Sequence, residues 1–520
     1  MSTSSLVPVL LVGVPLSAVV PIGLSRARPN LREAWTFLAS VSVLGLAVQA
    51  TTTVLDGEVV EVGLGHVVTG VPFALRIDAF GALFALLAAV LWLVASVYSV
   101  GYVRELDERH QTRYFAAFAA SIATTMGVAL AANLLTLFVF YELLTLATYP
   151  LVTHYETATA RRSGRTYLAY TLTGGVAILA GIALVYAVTG SVDFSPGGVG
   201  GLAADPTLAT VGYALLVVGF GVKAALVPLH GWLPGAMVAP TPVSGLLHAV
   251  AVVKSGVFGL ARVVLFVFGV DALRSLGLAA PLALAAAATM LIAGVLALRQ
   301  DKLKRGLAYS TVSQLSYIVL GIALLSPTAA FGALLHLVAH AFMKITLFFC
   351  AGVVYVETHV EYVSRMDGLW RRLPGTMVAF AVGSAGLVGL PAIAGFVSKW
   401  YLVLGALEAD AAPFAAVFLL AGLLKLLYFW PVLSTAAGGG DALDGFSPIA
   451  ATGGGDREAA HDGGQADGWE RRTPTTEATW LLLGPLLVTA GGAVVLGVVP
   501  DATPFWDLAR AVVAEVFRSG

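Results

Sequence analysis

Nine titratable side chains stand in stretches of sequence that offer them no water. Glu142 lies within the run FVFYELLTL, and Lys223, Lys254, Lys344, Lys399 and Lys425 sit in similarly apolar surroundings, as do His248, His336 and His340. One charged residue at the centre of an apolar membrane span costs about 2.5–3.5 kcal/mol, so Glu142 and the five lysines facing lipid would cost roughly 15–20 kcal/mol. That exceeds the whole stability of a typical domain, so these groups must face a bundle interior, water or one another. A lysine withdrawn from water gives up its proton more readily, a histidine titrates near neutral pH, and a nearby carboxylate favours the charged lysine. Moving a partner charge therefore switches such a lysine between holding and releasing a proton. Pairing that merely holds helices together accounts poorly for one carboxylate, five lysines and three histidines in one chain.

Spacing adds order. His336, His340 and Lys344 recur every four residues, which puts them on one stripe of one helix. Lys223 precedes Pro228 by five residues, and Lys399 follows Pro391 by eight. Each lies beside a cluster of prolines and glycines: Pro228, Gly231 and Pro234 in the first case, Gly386, Gly389, Pro391 and Gly395 in the second. A broken helix exposes backbone groups that are tolerated at membrane depth only where protein buries them or a wet cavity receives them.

The elements that position these residues follow from composition. The chain of 520 residues is 58% apolar and 11% charged, with a mean hydropathy of +0.89. Soluble domains carry about 25% charged residues, so the bilayer is the solvent for most of this chain. The expectation is an all-α polytopic membrane protein, one membrane domain over residues 1–520. Its fourteen apolar spans are 5–25, 35–53, 77–100, 114–131, 134–154, 166–190, 207–227, 243–269, 281–299, 307–325, 328–356, 375–410, 413–435 and 479–498. The seventh and twelfth are interrupted. Interruptions at corresponding places in two halves are the mark of inverted-repeat transporters, which pairs residues 114–269 (spans four to eight) with 281–435 (spans nine to thirteen). Residues 1–113 hold the first three spans, and 479–520 hold the last span and an amphipathic tail. That tail, with Phe505, Leu508, Val512 and Phe517 near one face, suits the bilayer interface or a partner subunit. The Gly/Asp-rich stretch 436–478 reads as a flexible cytoplasmic loop.

Of the 29 basic residues, 19 fall in loops that alternation assigns to one side. The positive-inside rule makes that side the cytoplasm and places both termini outside the cell membrane. Arg262, near the outer end of its span, is expected to snorkel to the headgroups. The N-terminus lacks the marks of a signal peptide, and Leu6 to about Leu24 reads as a retained first helix. Net charge is −1, so bulk charge implies no nucleic-acid partner. The single cysteine, Cys350, excludes a disulfide within the chain and a cysteine-ligated iron–sulfur cluster. No nucleotide-binding loop, metal-ligand cluster or nucleophile constellation appears, so no cofactor, metal or catalytic centre is expected.

Five segments carry a resemblance: YELLTLATYPLV (141–152), KAALVPLHGWLPGAMVAPTPVSGLLHAVAVVKSGVFGLAR (223–262), DKLKRGLAYSTVSQLSY (301–317), HLVAHAFMKITLFFCAG (336–352) and GLPAIAGFVSKW (389–400). They resemble the antiporter-like membrane subunits shared by Mrp-type cation/proton antiporters, respiratory complex I and membrane-bound hydrogenases. The resemblance implies a fourteen-helix fold with inverted five-helix repeats, working beside homologous and small membrane subunits and moving protons and a monovalent cation, sodium or potassium. It implies that Glu142 pairs with Lys223, that Lys254 is the central lysine with His248 before it, that His336, His340 and Lys344 form a relay, and that Lys399 gates the outer half-channel. Lysine rather than glutamate at 399 disfavours the M-type subunits of complex I. The short stretch after the last span disfavours the L-type and large A-type subunits. A D-type subunit of an Mrp-like antiporter fits best. The rivals are a proton-pumping subunit of a complex I-like or hydrogenase complex and a carrier working alone. Lys425 departs from the family pattern, and the plainer expectation is that it snorkels or finds a partner.

Overall fold

The computed structural model describes residues 6–68, 70–438 and 470–517, most of which are helical. The first two helices are α1 (Val7–Leu24) and α2 (Pro29–Leu55). A short antiparallel hairpin follows, β1 (Val60–Val68) and β2 (Val71–Ile77), with Val60 opposite Ile77. It is an addition to the all-helical expectation. Then come α3 (Ala79–Glu105), α4 (Gln111–Ala129), α5 (Leu134–Val152), α6 (Ala158–Thr189) and α7 (Pro206–Lys223). After α7 the backbone leaves the helix, passes a single turn, α8 (Trp232–Gly235), and resumes as α9 (Thr241–Ala249), α10 (Val252–Arg262), a π-helical turn over Val263–Phe268, and α11 (Gly269–Ser275). The second half holds α12 (Ala279–Leu298), α13 (Leu303–Ala323), α14 (Pro327–Thr358), the single turn α15 (Leu369–Arg372), α16 (Pro374–Val388), α17 (Ala394–Glu408), α18 (Ala412–Ala436), α19 (Trp480–Val498) and α20 (Pro504–Phe517).

Local chemistry sets these boundaries. Asp78, Asn133, Thr157 and Asp205 cap α3, α5, α6 and α7 by accepting N–H bonds that the first turn leaves free. Gly389, in the left-handed region, ends α16, and Pro391 prevents its continuation. Among the described residues, twelve helical stretches are long and apolar enough to cross a membrane, the α9–α11 run counting as one. A helix occupies each of the fourteen predicted spans, but α4 is too rich in polar residues to join the twelve. The break leaves α16 and α17 as two 15-residue pieces. α14 and the α9–α11 run are buried all round, whereas α1, α2 and α19 turn much of their apolar surface outward.

Three expectations change. α20 packs Phe505, Leu508, Val512 and Val516 against α2, α3 and α14 of its own chain, so its apolar face is covered internally rather than by lipid or a partner. Of the stretch 436–478, residues 439–469 lie outside the described residues, and residues 470–478 are tied down. The Glu477 carboxylate accepts from the Gly375 and Thr376 amides at 2.7 Å and so caps the start of α16. Arg472 donates to Glu357 at 3.1 Å. Arg262, expected to reach the headgroups, is fully buried. Its guanidinium donates twice to Asp78, 2.7 Å each way, amid the rings of Phe80, Phe194, Phe258 and Phe266. The carboxylate at the start of α3 is nearer than any headgroup, and a two-fold guanidinium–carboxylate contact neutralises the charge where it stands.

Candidate functional site

The eight residues that the resemblance assigns to the relay, of the nine singled out in the sequence, fall within the helices of the bundle. Lys223, His248, Lys254, His336, His340 and Lys344 have no exposure, Lys399 is buried at 9%, and Glu142 is half-buried. Lys223 is the last residue of α7. Its ammonium donates to the Tyr141 carbonyl and lies 3.4 Å from the centre of the Tyr141 ring. Glu142, one residue on, turns away toward α6, where Gly175 makes room for its carboxylate. The two charges are electrostatic neighbours, but no ion pair within 4.0 Å joins them among the described residues. The direct pairing that the resemblance implied is thus relaxed, because successive residues of α5 face different helices.

A third helix break, unsignalled by proline or glycine, lies between α9 and α10 at Val250–Ala251. It separates His248 from Lys254 and aims both at the second half of the chain. His248 Nδ1 is 3.0 Å from Thr311 Oγ1 on α13. Lys254 donates to the Leu337 carbonyl of α14 at 2.9 Å. On α14, His336 immediately precedes that carbonyl's residue and His340 follows it by three, about one turn. His336 is fully engaged, with Nδ1 2.8 Å from Ser398 Oγ and Nε2 2.7 Å from Gln314 Oε1. Neither ring nitrogen of His340 has a hydrogen-bond partner among the described residues. Lys344 donates to Ser310 Oγ of α13.

The second predicted break carries Lys399. Its ammonium donates to the last carbonyls of α16, those of Leu387 and Val388. A helix C-terminus leaves such carbonyls free and favours a cation. Gln314 donates to the same Leu387 carbonyl at 3.1 Å, so His336, Gln314 and Lys399 form one connected set. Tyr141, Ser310, Thr311, Gln314 and Ser398 therefore serve the site without having been singled out. The legible signal was on α13, where Ser310, Ser313, Gln314 and Tyr317 share one face at helical spacing.

At the arginine-rich end of the bundle a recess of about 1380 Å³ opens, lined among others by Tyr102, Glu108, His154, Thr241, Lys304 and Glu361. Lys304 donates to the Ala239 carbonyl at 2.7 Å. Thr241 starts α9, about 10 Å of helix rise from His248. Just outside the spans, burial raises the Glu108 carboxyl above its ordinary range. His154 is lowered to about 4, first by burial and then by Arg113.

A helical membrane bundle whose interior carries a row of lysines and histidines, held on carbonyls and hydroxyls, defines a class of protein that moves ions. Residues 131–425 match the family described as NADH:quinone oxidoreductase/Mrp antiporter, TM, and the chain belongs to that family as a proton/cation-translocating membrane subunit. It is 35% identical over 449 residues to "NADH-quinone oxidoreductase subunit N" of Desulforudis audaxviator, covering 82% of this chain and 86% of that one. It is 36% identical over 342 residues to the A/B subunit of a "Probable K(+)/H(+) antiporter" of Rhizobium meliloti, covering 65% of this chain and 33% of the longer relative. Among solved structures, a chain of the Mrp complex from Dietzia sp. DQ12-45-1b superposes with a TM-score of 0.82 at 26% identity, over 99% of this chain and 98% of that one. A chain of the membrane-bound sulfane sulfur reductase, an archaeal respiratory membrane complex, gives 0.81 at 25% identity, over 98% of each.

Proposed function

We propose that this chain is the D-type ion-translocating subunit of an Mrp-like monovalent cation/proton antiporter, in a cell membrane, with the arginine-rich loops in the cytoplasm and both termini outside. It works within a hetero-oligomer of homologous and small membrane subunits and exchanges protons for sodium or potassium. The observation that carries this reading is the row itself. Four lysines (223, 254, 344 and 399) and three histidines lie buried along α7, α9, α10, α14 and α17, and the lysines donate to carbonyls and a hydroxyl. Glu142 is the single carboxylate of the set. A lysine so placed stays charged or neutral according to its neighbours' charge. A proton arriving beside one lysine therefore drives release from the next. The charge state of Glu142 biases Lys223. The row continues through Lys254, then His340, Lys344 and His336, to Lys399. The membrane potential supplies about 2.3 kcal/mol per charge per 100 mV to such a relay. Residues 114–269 and 281–435 act as two inverted halves, each with its broken helix. The likeness to the Mrp chain along nearly its whole length and the lysine at position 399 support the D-type assignment.

In the assembled complex, Lys223→Ala and Glu142→Ala are expected to abolish cation-driven proton transport in vesicles while leaving assembly intact. Full transport in both variants would sink the mechanism. A second reading, a proton-pumping subunit of a quinone-linked or hydrogenase-like respiratory complex, is favoured by the likeness to a quinone oxidoreductase subunit over most of the chain. Co-purification separates the two, since iron–sulfur and quinone-site subunits would mark the second reading and small antiporter subunits the first. Cation/proton exchange by the purified chain alone would mark it as a carrier in its own right.

A further inference from the structure

Lys425 is the one lysine of the interior that this relay does not use. It stands on α18, fully buried, which excludes snorkelling. No carboxylate forms an ion pair with it among the described residues. Its ammonium donates to Ser313 Oγ at 3.3 Å and to the Ala421 carbonyl at 3.0 Å, and it lies 4.3 Å from the centre of the Tyr317 ring. Lys399 stands 5.1 Å from the centre of that same ring. Tyr317 is itself held in place, its hydroxyl donating to the Phe418 carbonyl of α18 at 2.7 Å. Ser313 is three residues beyond Ser310, the hydroxyl that receives Lys344. The Tyr428 hydroxyl, three residues beyond Lys425 on α18, is buried with no hydrogen-bond partner among the described residues.

One face of α13 thus meets three lysines in succession: Lys344 at Ser310, Lys425 at Ser313 and Tyr317, and Lys399 at Tyr317. The parallel path along α14 has its gap at His340, whose two nitrogens are unpartnered among the described residues. We propose that Lys425 is a further proton-carrying residue that links Lys344 to Lys399 along α13, a second route beside His340 and His336. The proposal rests on the proton-translocating reading given above. The aromatic ring stabilises an ammonium near its face, but two ammoniums beside one ring, with no carboxylate between them, repel in a medium of low dielectric. The pair therefore holds one proton. Lys425 as ammonium hands it toward the neutral amine of Lys399 by way of the Ser313 hydroxyl. Lys425 is left neutral, ready for the next proton from Lys344, and the summed charge of the pair is unchanged.

The test uses the complete assembled complex in proteoliposomes, with wild type, Lys223→Ala, Lys425→Met and Lys425→His compared at equal melting temperature. Methionine keeps the packing volume and removes the exchangeable proton, whereas histidine restores one. The expected result is a several-fold loss of transport in Lys425→Met, since the path along α14 stays intact, and partial recovery in Lys425→His. Wild-type rates in Lys425→Met alongside a dead Lys223→Ala would overturn the proposal and leave the broader reading standing, whereas wild-type rates in Lys223→Ala would overturn both. Equal loss in the methionine and histidine variants would make Lys425 a packing element and also overturn it. Should Lys425→Met fail to assemble, Ser313→Ala decides. A several-fold loss is expected there, and an unchanged rate would refute the α13 route.

Discussion

Two cations eight residues apart on α10 are buried to the same degree and treated in opposite ways. Arg262 is given a carboxylate, two direct bonds and four aromatic rings. Lys254 is given one carbonyl, that of Leu337. The first arrangement pairs the charge with a carboxylate through two of the three guanidinium nitrogens, leaving Nε without a partner among the described residues, and ties α10 to the start of α3. The second leaves an ammonium whose charge is free to be removed. A guanidinium cannot lose its proton at any accessible pH, whereas a lysine amine can. Residue type and partner agree at both places. The arginine belongs to the clasp that holds the bundle, and the lysine belongs to the row proposed to conduct.

The largest expected effects follow from that contrast. Asp78→Ala strands the Arg262 charge in an apolar pocket and should cost about 3–5 kcal/mol of stability, read as a large fall in melting temperature of the detergent-solubilised complex. Adding Arg262→Leu to that variant should restore most of the loss, because two apolar groups in place of a buried pair are close to neutral. Lys254→Met should do the reverse. It removes an uncompensated buried charge, so the melting temperature should hold or rise while ion transport falls to background. A fall in Lys254→Met as deep as that in Asp78→Ala would erase the distinction and make the lysine row structural.

A smaller effect should appear where the row meets its one carboxylate. A methyl group at Gly175 would lie 2.5 Å from Glu142 Oε1 and 2.7 Å from its carboxyl carbon, its three nearest neighbours all being atoms of that carboxylate. The flexible end of the glutamate gives way more readily than the α5–α6 contact. Gly175→Ala should therefore leave assembly and melting temperature near wild type and lower transport several-fold by moving the carboxylate relative to Lys223. Wild-type transport in this variant would show that the position of Glu142 is not what tunes Lys223.

Most of this architecture was legible because the cost of burying a charge is large and local sequence cannot disguise it. Lys223 and Lys399 announced themselves through their apolar surroundings and the prolines and glycines beside them, and both breaks are present. The break between α9 and α10 was illegible because the residues around it, HAVAVVK, carry no turn chemistry. Tertiary contacts of His248 and Lys254 with α13 and α14 stand across it instead. Arg262 was misread because Asp78 sits at the edge of a span, where a carboxylate looks like a loop residue or a simple helix cap. It serves as both the cap of α3 and the counter-ion. Lys425 was legible as an anomaly but not as a neighbour of Lys399, since only the packing of α18 on α13 brings both to Tyr317.

The smallest effect concerns a titratable group that is buried yet belongs to neither set. His154, beyond the end of α5 at the rim of the recess, is lowered to about 4 by burial and by Arg113. Glu108, 3.9 Å away, is the nearby carboxylate. In the unfolded chain the imidazole titrates near 6.5. Between about pH 6.5 and 4 the unfolded state therefore binds a proton that the folded state refuses, and stability must decline as pH falls through that window. Above pH 6.5 both states hold the neutral ring and His154 contributes no slope. His154→Gln, neutral at every pH, should flatten the decline in melting temperature across that window while leaving the value at pH 7.5 close to wild type. Transport at neutral pH should be unchanged, in contrast to every substitution in the lysine row. A transport defect in His154→Gln at pH 7.5 would move this histidine out of the scaffold and into the conducting path.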